Sequence, residues 1–185
     1  MTLLKCKAIV SSIFLISLAF TFCKKDRQKN FPIETSTGAN TFGCYLDKNQ
    51  FLPCKITGGI SPVRRLQASS FFYNPSYLDM TVSAVNDCEN ETFRSIIIGF
   101  DSVAIISNTT YKLSTYLGGI KNKVVISYYE DGTQFRSDST LDGSVTVTYF
   151  DKEKHILSGR FEATLQDVNT SKKIQLTKGI FDIKF

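Results

Sequence analysis

The stretch SVTVTYFDKEKHILSGRFEATLQD, residues 144–167, decides the fold. Apolar and polar residues alternate in SVTVTYF (144–150) and again in GRFEATLQD (159–167). Alternation with a period of two indicates half-buried strands, because successive side chains of a strand point to opposite faces of a sheet. The polar segment DKEK (151–154) between them is typical of a turn. This stretch therefore predicts two strands joined by a short turn.

The same pattern continues on both sides of this stretch. LDMTVSA (78–84) and FDIKF (181–185) also alternate, whereas SIIIGF (95–100) and VVISYYE (124–130) are more continuously apolar, as in central strands that are covered on both faces. Asp131-Gly132 after the last of these is a strong two-residue hairpin signal. No stretch of ten residues has the 3.6-residue periodicity and cap of a helix. The sequence predicts an all-β domain over residues 41–185, a single antiparallel β-sandwich or an open barrel-like sheet.

The first 22 residues have the layout of a lipoprotein signal peptide. Lys5 and Lys7 precede the uncharged apolar run AIVSSIFLISLAFTF (8–22). The run is shorter than the about 20 residues of a membrane-spanning helix, which favours a cleaved signal. Cys23 follows at the polar boundary, where a lipoprotein cysteine receives a diacylglycerol and becomes the mature N-terminus. Because Phe22 replaces the usual small residue, an ordinary cysteine in a weak signal is the alternative.

Residues 23–40 are predicted to be the lipidated cysteine and a flexible tether, since 24–40 are polar and rich in turn formers. The formal net charge is +5, of which residues 1–22 carry two lysines and residues 24–29 carry four basic residues and one acid. The remaining domain is close to neutral, which is not the clustered basic surface of a nucleic-acid-binding protein. The expected location is the bacterial cell envelope, periplasmic or surface-exposed, with the membrane reached through the N-terminal lipid.

Three cysteines remain after processing: Cys44, Cys54 and Cys88. Export permits a disulfide. A three-residue hairpin loop at 48–50 would place Cys44 opposite Cys54, within disulfide range at a non-hydrogen-bonded pair. This interpretation predicts a Cys44–Cys54 bridge and one remaining thiol. The alternative is that all three are buried thiols that pack as small hydrophobic side chains.

Both ends of the predicted domain resemble a known family. GANTFGCYLDKNQFLPC (38–54), together with residues 144–167 and IQLTKGIFDIKF (174–185), is similar to small lipoproteins of Bacteroidetes-type bacteria whose function is uncharacterised. Those proteins open with GxNTFGC after the tether and close with strands of the form SGxFxF and GxFDxxF. The resemblance implies an envelope lipoprotein and transfers no catalytic residue to this chain.

The sequence contains no clear catalytic, metal or cofactor motif. His155 is the one histidine and adjoins a polar turn, so it is expected to be a surface residue; the cysteines lack the CxxC spacing of a zinc site. No calcium loop, GxGxxG or P-loop is present. Acids occur as neighbours in predicted turns, where local hydrogen bonding is their common role: Asp138 with Asp142, Asp151 with Glu153, and Glu130 with Asp131.

Two functions are consistent with these observations. The first is a non-enzymatic binding or structural module for a protein or glycan, and either an exposed Phe71–Tyr77 patch or an unpaired edge strand would strengthen it. The second is an acid-dependent hydrolase of envelope or extracellular polymers that uses Asp138 and Asp142, with or without His155. This second function requires two acids in one concave pocket, within about 10 Å of each other. The missing catalytic pattern favours the first.

Overall fold

The computed structural model describes residues 30–54, 66–74, 77–86, 92–115 and 122–185, without the side chains of 70–78. These ranges contain eleven strands and no helix. In chain order the strands are β1 (Thr41–Leu46), β2 (Asn49–Phe51), β3 (Leu66–Asn74), β4 (Tyr77–Asn86), β5 (Arg94–Val103), β6 (Thr109–Lys112), β7 (Lys123–Glu130), β8 (Thr133–Arg136), β9 (Gly143–Asp151), β10 (Ile156–Asp167) and β11 (Lys173–Lys184).

The eleven strands form one antiparallel sheet that is not closed. Its hydrogen-bonded order is β2-β1-β11-β10-β8-β7-β5-β4-β3, and β6 pairs with β9, which in turn pairs with β10. β10 has two neighbours on one side, because β9 pairs with Ile156–Ala163 and β8 with Gln166 and Asp167. The all-β prediction is confirmed, and the open sheet is consistent with a sandwich or an open barrel-like domain.

One hydrophobic core fills the inner side of this sheet. Buried and less buried residues alternate along much of β10 and β11, as the sequence pattern predicts, whereas six consecutive residues of β7, 123–128, are buried. The core includes Ile98 and Ile126 from the middle strands and Leu165 and Ile183 from β10 and β11. Each of these four side chains is at most 1% exposed. The Asp131-Gly132 hairpin is also confirmed: Glu130 pairs with Thr133, and both turn residues have positive φ.

Two glycines and two phenylalanines face each other across β10 and β11. Gly159 is directly opposite Phe181, and Phe161 is directly opposite Gly179. A Cβ atom on Gly179 would lie 2.6 Å from three atoms of the Phe161 ring, so the ring covers the glycine backbone. Covering a strand glycine with an aromatic ring pins the register of the two strands. The glycines and phenylalanines of the two C-terminal motifs are therefore explained by packing.

Gly159→Ala is expected to lower the free energy of unfolding by about 2 kcal/mol, within the usual cost of overpacking a core. The added methyl group would overlap the carbonyl oxygen of Thr146 and the ring of Phe181. Gly99→Ala is the matched control, because its Cβ would meet only a Val125 methyl group at 3.1 Å. Urea unfolding of both variants measures the difference, and equal losses would contradict the packing role.

The domain begins earlier than the sequence predicts. β1 starts at Thr41 as expected, but the compact unit begins at Phe31. Phe31 stacks on Tyr45 with ring centroids 5.1 Å apart, and Glu34 forms an ion pair with Arg160 at 2.6 Å. The prediction of a flexible tether is therefore wrong for residues 31–40, which we call the strap. The strap is held by contacts with β1, β10 and β11 that its polar composition does not reveal.

Asp182 is the main attachment of the strap. Its carboxylate accepts hydrogen bonds from the hydroxyl of Thr35 and from the backbone N–H groups of residues 37–39. Ser158 of β10 donates a further bond at 2.6 Å. Burial alone would raise the pKa of Asp182, but these hydrogen bonds outweigh it and lower the pKa to about 2. The aspartate of the GxFD motif is thus a buried anion in a cradle of donors.

Candidate functional site

A groove on the outer face of β4, β5 and β7 is the candidate binding site. At its centre Gly99 lies opposite Thr81 on one side and Val125 on the other. Because Gly99 has no side chain, the strand surface is hollow there, and the groove has a volume of about 300 Å³. This is at the lower end of the range for small-molecule pockets, roughly 300–1,000 Å³.

The two ends of the groove differ in chemistry. Asp79, Asp101 and Lys123 line one end, where Asp101 pairs across the strands with Lys123. Ile97 and Ser127 form the other end as the next outward-facing cross-strand pair. Lys123 is only 7% exposed, so most of its side chain is buried at this end of the groove. The arrangement offers a ligand an apolar strip that ends in charged groups.

Asp138 and Asp142 do not line the same hollow. Asp138 lines a hollow of about 380 Å³ with Arg136 and Asp167, while Asp142 lines a different hollow with Glu162. The Asp138–Asp167 combination could not be found from the sequence, because it depends on the pairing of β8 with the end of β10. A two-acid site built on Asp138 and Asp142 gains no support from this placement.

The carboxylates in the predicted turns accept local hydrogen bonds. Asp138 accepts from the backbone N–H and the hydroxyl of Thr140 at 2.8 and 2.7 Å. Asp151 accepts from the backbone N–H of Lys154 at 2.9 Å and pairs with its ammonium at 3.1 Å. Asp167 accepts from the hydroxyl of Thr170 at 2.6 Å. For Asp138 and Asp151 these contacts are the turn chemistry that the sequence predicts.

The same contacts make these acids unsuitable as proton donors near neutral pH. Hydrogen bonds from Thr140 lower the pKa of Asp138, and those from Thr170 and Asn169 lower the pKa of Asp167. Hydrogen bonds from Lys154 lower the pKa of Asp151 to about 2. A glycosidase general acid requires a raised pKa, so that its proton is still present when the bond breaks. These three carboxylates have the opposite shift.

His155 lies where the sequence predicts, exposed in the turn between β9 and β10. Its backbone has a φ of 57°, and its ring contacts the edge of Phe185 with centroids 5.4 Å apart. It does not line the hollow of Asp138 or that of Asp142. The structure therefore gives His155 a packing contact at the end of the chain.

The predicted Cys44–Cys54 bridge is wrong. Cys44 is a free, fully buried thiol, and burial raises its pKa to about 12, whereas Cys54 is disulfide-bonded. The hairpin turn contains two residues, so Leu46 pairs with Asn49 and Cys44 lies opposite Phe51. This register buries the Phe51 ring completely, which explains why the shorter turn is preferred.

Several predictions concern residues outside the described ranges. Cys23 and Cys88 lie outside them, as do the side chains of Phe71, Phe72, Tyr73 and Tyr77. Within the ranges, no group of three or more histidine, cysteine, aspartate or glutamate residues is placed to hold a metal ion. The same residues include no helix with the length and apolarity to cross a membrane.

Comparison with protein-family models, curated proteins and solved structures finds no match to this chain.

Proposed function

We propose that the chain is a non-enzymatic lipoprotein of the bacterial cell envelope, and that it binds a ligand in the groove of β4, β5 and β7. The binding proposal is supported mainly by the hollow at Gly99. An apolar strip lies on one side of this hollow, and the charged residues Asp79, Asp101 and Lys123 lie on the other. The lowered pKa values of the turn acids support a role without acid catalysis. The resemblance at both ends of the domain supports the envelope address.

The groove favours a short amphipathic peptide over a glycan. Sugar rings commonly stack on exposed aromatic faces, but Phe100, the aromatic residue among the described residues that line the groove, is 1% exposed and belongs to the core. A branched aliphatic side chain fits the space above Gly99 and next to Ile97 and Val125. A charged peptide group would then face the Asp79–Lys123 end.

A peptide-binding measurement tests the groove. Short synthetic peptides with one branched aliphatic residue and one charged group should shift the amide NMR signals of Thr81, Gly99 and Val125. Thr81→Trp should weaken that binding by at least about tenfold, which corresponds to 1.4 kcal/mol, because the indole would occupy the groove. Thr110→Trp, on exposed β6, is the matched control and should bind normally. Signal shifts confined to another face, or caused only by glycans, would contradict the proposal.

The anchor is tested separately in the producing cell. Cys23→Ala should move the protein from the membrane fraction to the soluble fraction, because it removes the thiol that carries the lipid. Cys6→Ala, a cysteine within the same signal, should leave the protein in the membrane fraction. Continued membrane association of the Cys23 variant would contradict lipid anchoring.

A further inference from the structure

The strap enters the domain at one end of the sheet. Phe31 stacks on Tyr45, which is next to the turn at 47–48. The β10–β11 turn at 168–172 lies at the same end, because Leu46 pairs with Leu176, three positions from Lys173. The strap then runs along the sheet to Asp182 and to Asn40, which accepts a hydrogen bond from the backbone of Lys184. We call the end that holds Phe31 and the two turns the anchor end.

Only a short segment of the chain connects the proposed lipidation site to the strap. Seven residues, 24–30, separate Cys23 from Phe31, and a fully extended chain of this length reaches at most about 25 Å. β11 has 12 residues and is about 40 Å long at 3.3 Å per residue. If Cys23 carries the lipid, as the proposed function holds, the anchor end must stay close to the membrane and the opposite end points away from it.

The anchor end has side chains suited to a lipid surface. Ile33, two residues after Phe31, is 79% exposed, and Val168 in the β10–β11 turn is 45% exposed. Four exposed lysines lie at or near this end: Lys48, Lys172, Lys173 and Lys178. The ammonium of Lys178 lies 5.7 Å above the Tyr45 ring. Exposed aliphatic side chains combined with lysines are the chemistry of an interfacial membrane contact.

The acids near these lysines accept hydrogen bonds within the fold. Asp47 accepts from the backbone N–H of Gln175 at 2.9 Å, and Asp167 accepts from Asn169 and Thr170. Lys172 lies near Asp167, with its ammonium 5.6 Å above the Phe135 ring, and the four lysines outnumber the two aspartates by two charges. An anionic phospholipid surface complements the lysines, and each lysine near such a surface contributes about 1 kcal/mol.

We infer that the anchor end rests on anionic phospholipid headgroups, with Ile33 entering the interface and the lysines facing the phosphates. This inference rests on the proposed acylation of Cys23. Membrane contact then orients the domain, so that the turn at 152–155 between β9 and β10 is presented away from the bilayer. The diacylglycerol and the protein surface act together, since the acyl chains attach the protein and the lysines contribute separately by attraction to anionic headgroups.

The chain contains no tryptophan, so single tryptophans report position without background. Asn49→Trp marks the anchor end and Glu153→Trp the opposite end; both positions are exposed. Each full-length variant is purified from membranes and reconstituted into phosphatidylcholine vesicles with about one-third phosphatidylglycerol, a charge density that makes the lysine contribution measurable. Brominated lipids should quench the tryptophan at 49 at least about twofold more than the tryptophan at 153, because the ends are separated by the length of β11.

Two further measurements distinguish a failure of the lipid anchor from a failure of the proposed orientation, if the two tryptophans are quenched equally. Intact mass and vesicle flotation report acylation: an unacylated protein that does not float overturns both the anchor and the orientation. An acylated protein that floats with equal quenching at 49 and 153 overturns the orientation alone. Replacing Ile33 and Lys178 with serine should reduce the quenching at 49 without changing flotation, and unchanged quenching would contradict the proposed contact. Thermal unfolding of each variant confirms that the domain is folded.

Discussion

Replacing Asp182 with alanine should lower the free energy of unfolding by about 4 kcal/mol, because several donors lose a hydrogen bond to a charged acceptor, each worth about 1.5–3 kcal/mol. The carboxylate is 1% exposed and joins three parts of the fold: the strap, β10 and β11. Alanine would leave the backbone N–H groups of 37–39 and the hydroxyl of Ser158 without their acceptor. Urea unfolding measures the loss.

Asp138→Ala is the matched control for this substitution. Asp138 also accepts several hydrogen bonds, but its strongest partners are the backbone and hydroxyl of Thr140, two residues away. Removing a local turn acceptor should cost about 1 kcal/mol. The two variants also differ in where they loosen the protein. A glutamate-specific protease should cut after Glu34 faster in the Asp182 variant only, because the strap is released. Equal cutting in both variants would show that Asp182 does not hold the strap.

The pH dependence of stability provides an independent check on the same carboxylate. The pKa of Asp182 in the folded protein, about 2, is below the ordinary aspartate pKa of 3.8. A depressed folded pKa contributes stability above the unfolded pKa, and this contribution is lost as pH falls towards the folded value. Between pH 5 and pH 2 the wild type should therefore lose about 2 kcal/mol more than Asp182→Asn, which has no charge to titrate. Parallel losses in both proteins would contradict the assignment.

The strand pattern could be predicted because its signals are local. Period-two alternation identified β9, β10 and β11, and Asp131-Gly132 located the β7–β8 hairpin. The strap could not be predicted in this way. Its polar residues are typical of a tether, and its order depends on Asp182, more than 140 residues later in the sequence. A carboxylate acceptor supplied from a distant strand leaves no trace in the composition of the segment that it holds.

The candidate groove was missed for a related reason. Gly99 lies within an apolar run that predicts a central strand. Because it has no side chain, it leaves a space between Thr81 and Val125 on the neighbouring strands, and this space forms the groove. That space requires the β4-β5-β7 pairing, which alternation cannot specify.

The Cys44–Cys54 prediction failed because it assumed the wrong hairpin loop. The hairpin loop is 47–48 instead of 48–50, one residue shorter and one residue earlier, so the pairing shifts by three positions and Phe51 rather than Cys54 lies opposite Cys44.

Cys54→Ala should also lower the free energy of unfolding, by about 4 kcal/mol. This is the loss of chain entropy in the unfolded state that a disulfide causes when it closes a loop of some 35 residues. Cys54 is disulfide-bonded and 2% exposed. Its backbone N–H donates to the carbonyl of Val85 at 3.3 Å, and Asn86 donates to the carbonyl of Leu52 at 2.9 Å. The residue therefore sits beside the end of β4. Cys88 follows two residues after Asn86 in the sequence, and we expect peptide mapping without reductant to identify it as the partner.

Reductant separates the disulfide from simple core packing. In urea unfolding, dithiothreitol should destabilise the wild type by an amount similar to Cys54→Ala, and it should have no further effect on that variant. Cys44→Ala is the matched control: the Cys44 thiol is free and fully buried, so its loss should cost only the packing of one sulfur atom and leave the effect of reductant intact. A wild type that is insensitive to reductant, or a mapped bridge that contains Cys44, would contradict this account. Because burial raises the pKa of Cys44, the thiolate needed for exchange is suppressed there, and Cys44 should not compete for the disulfide of Cys54.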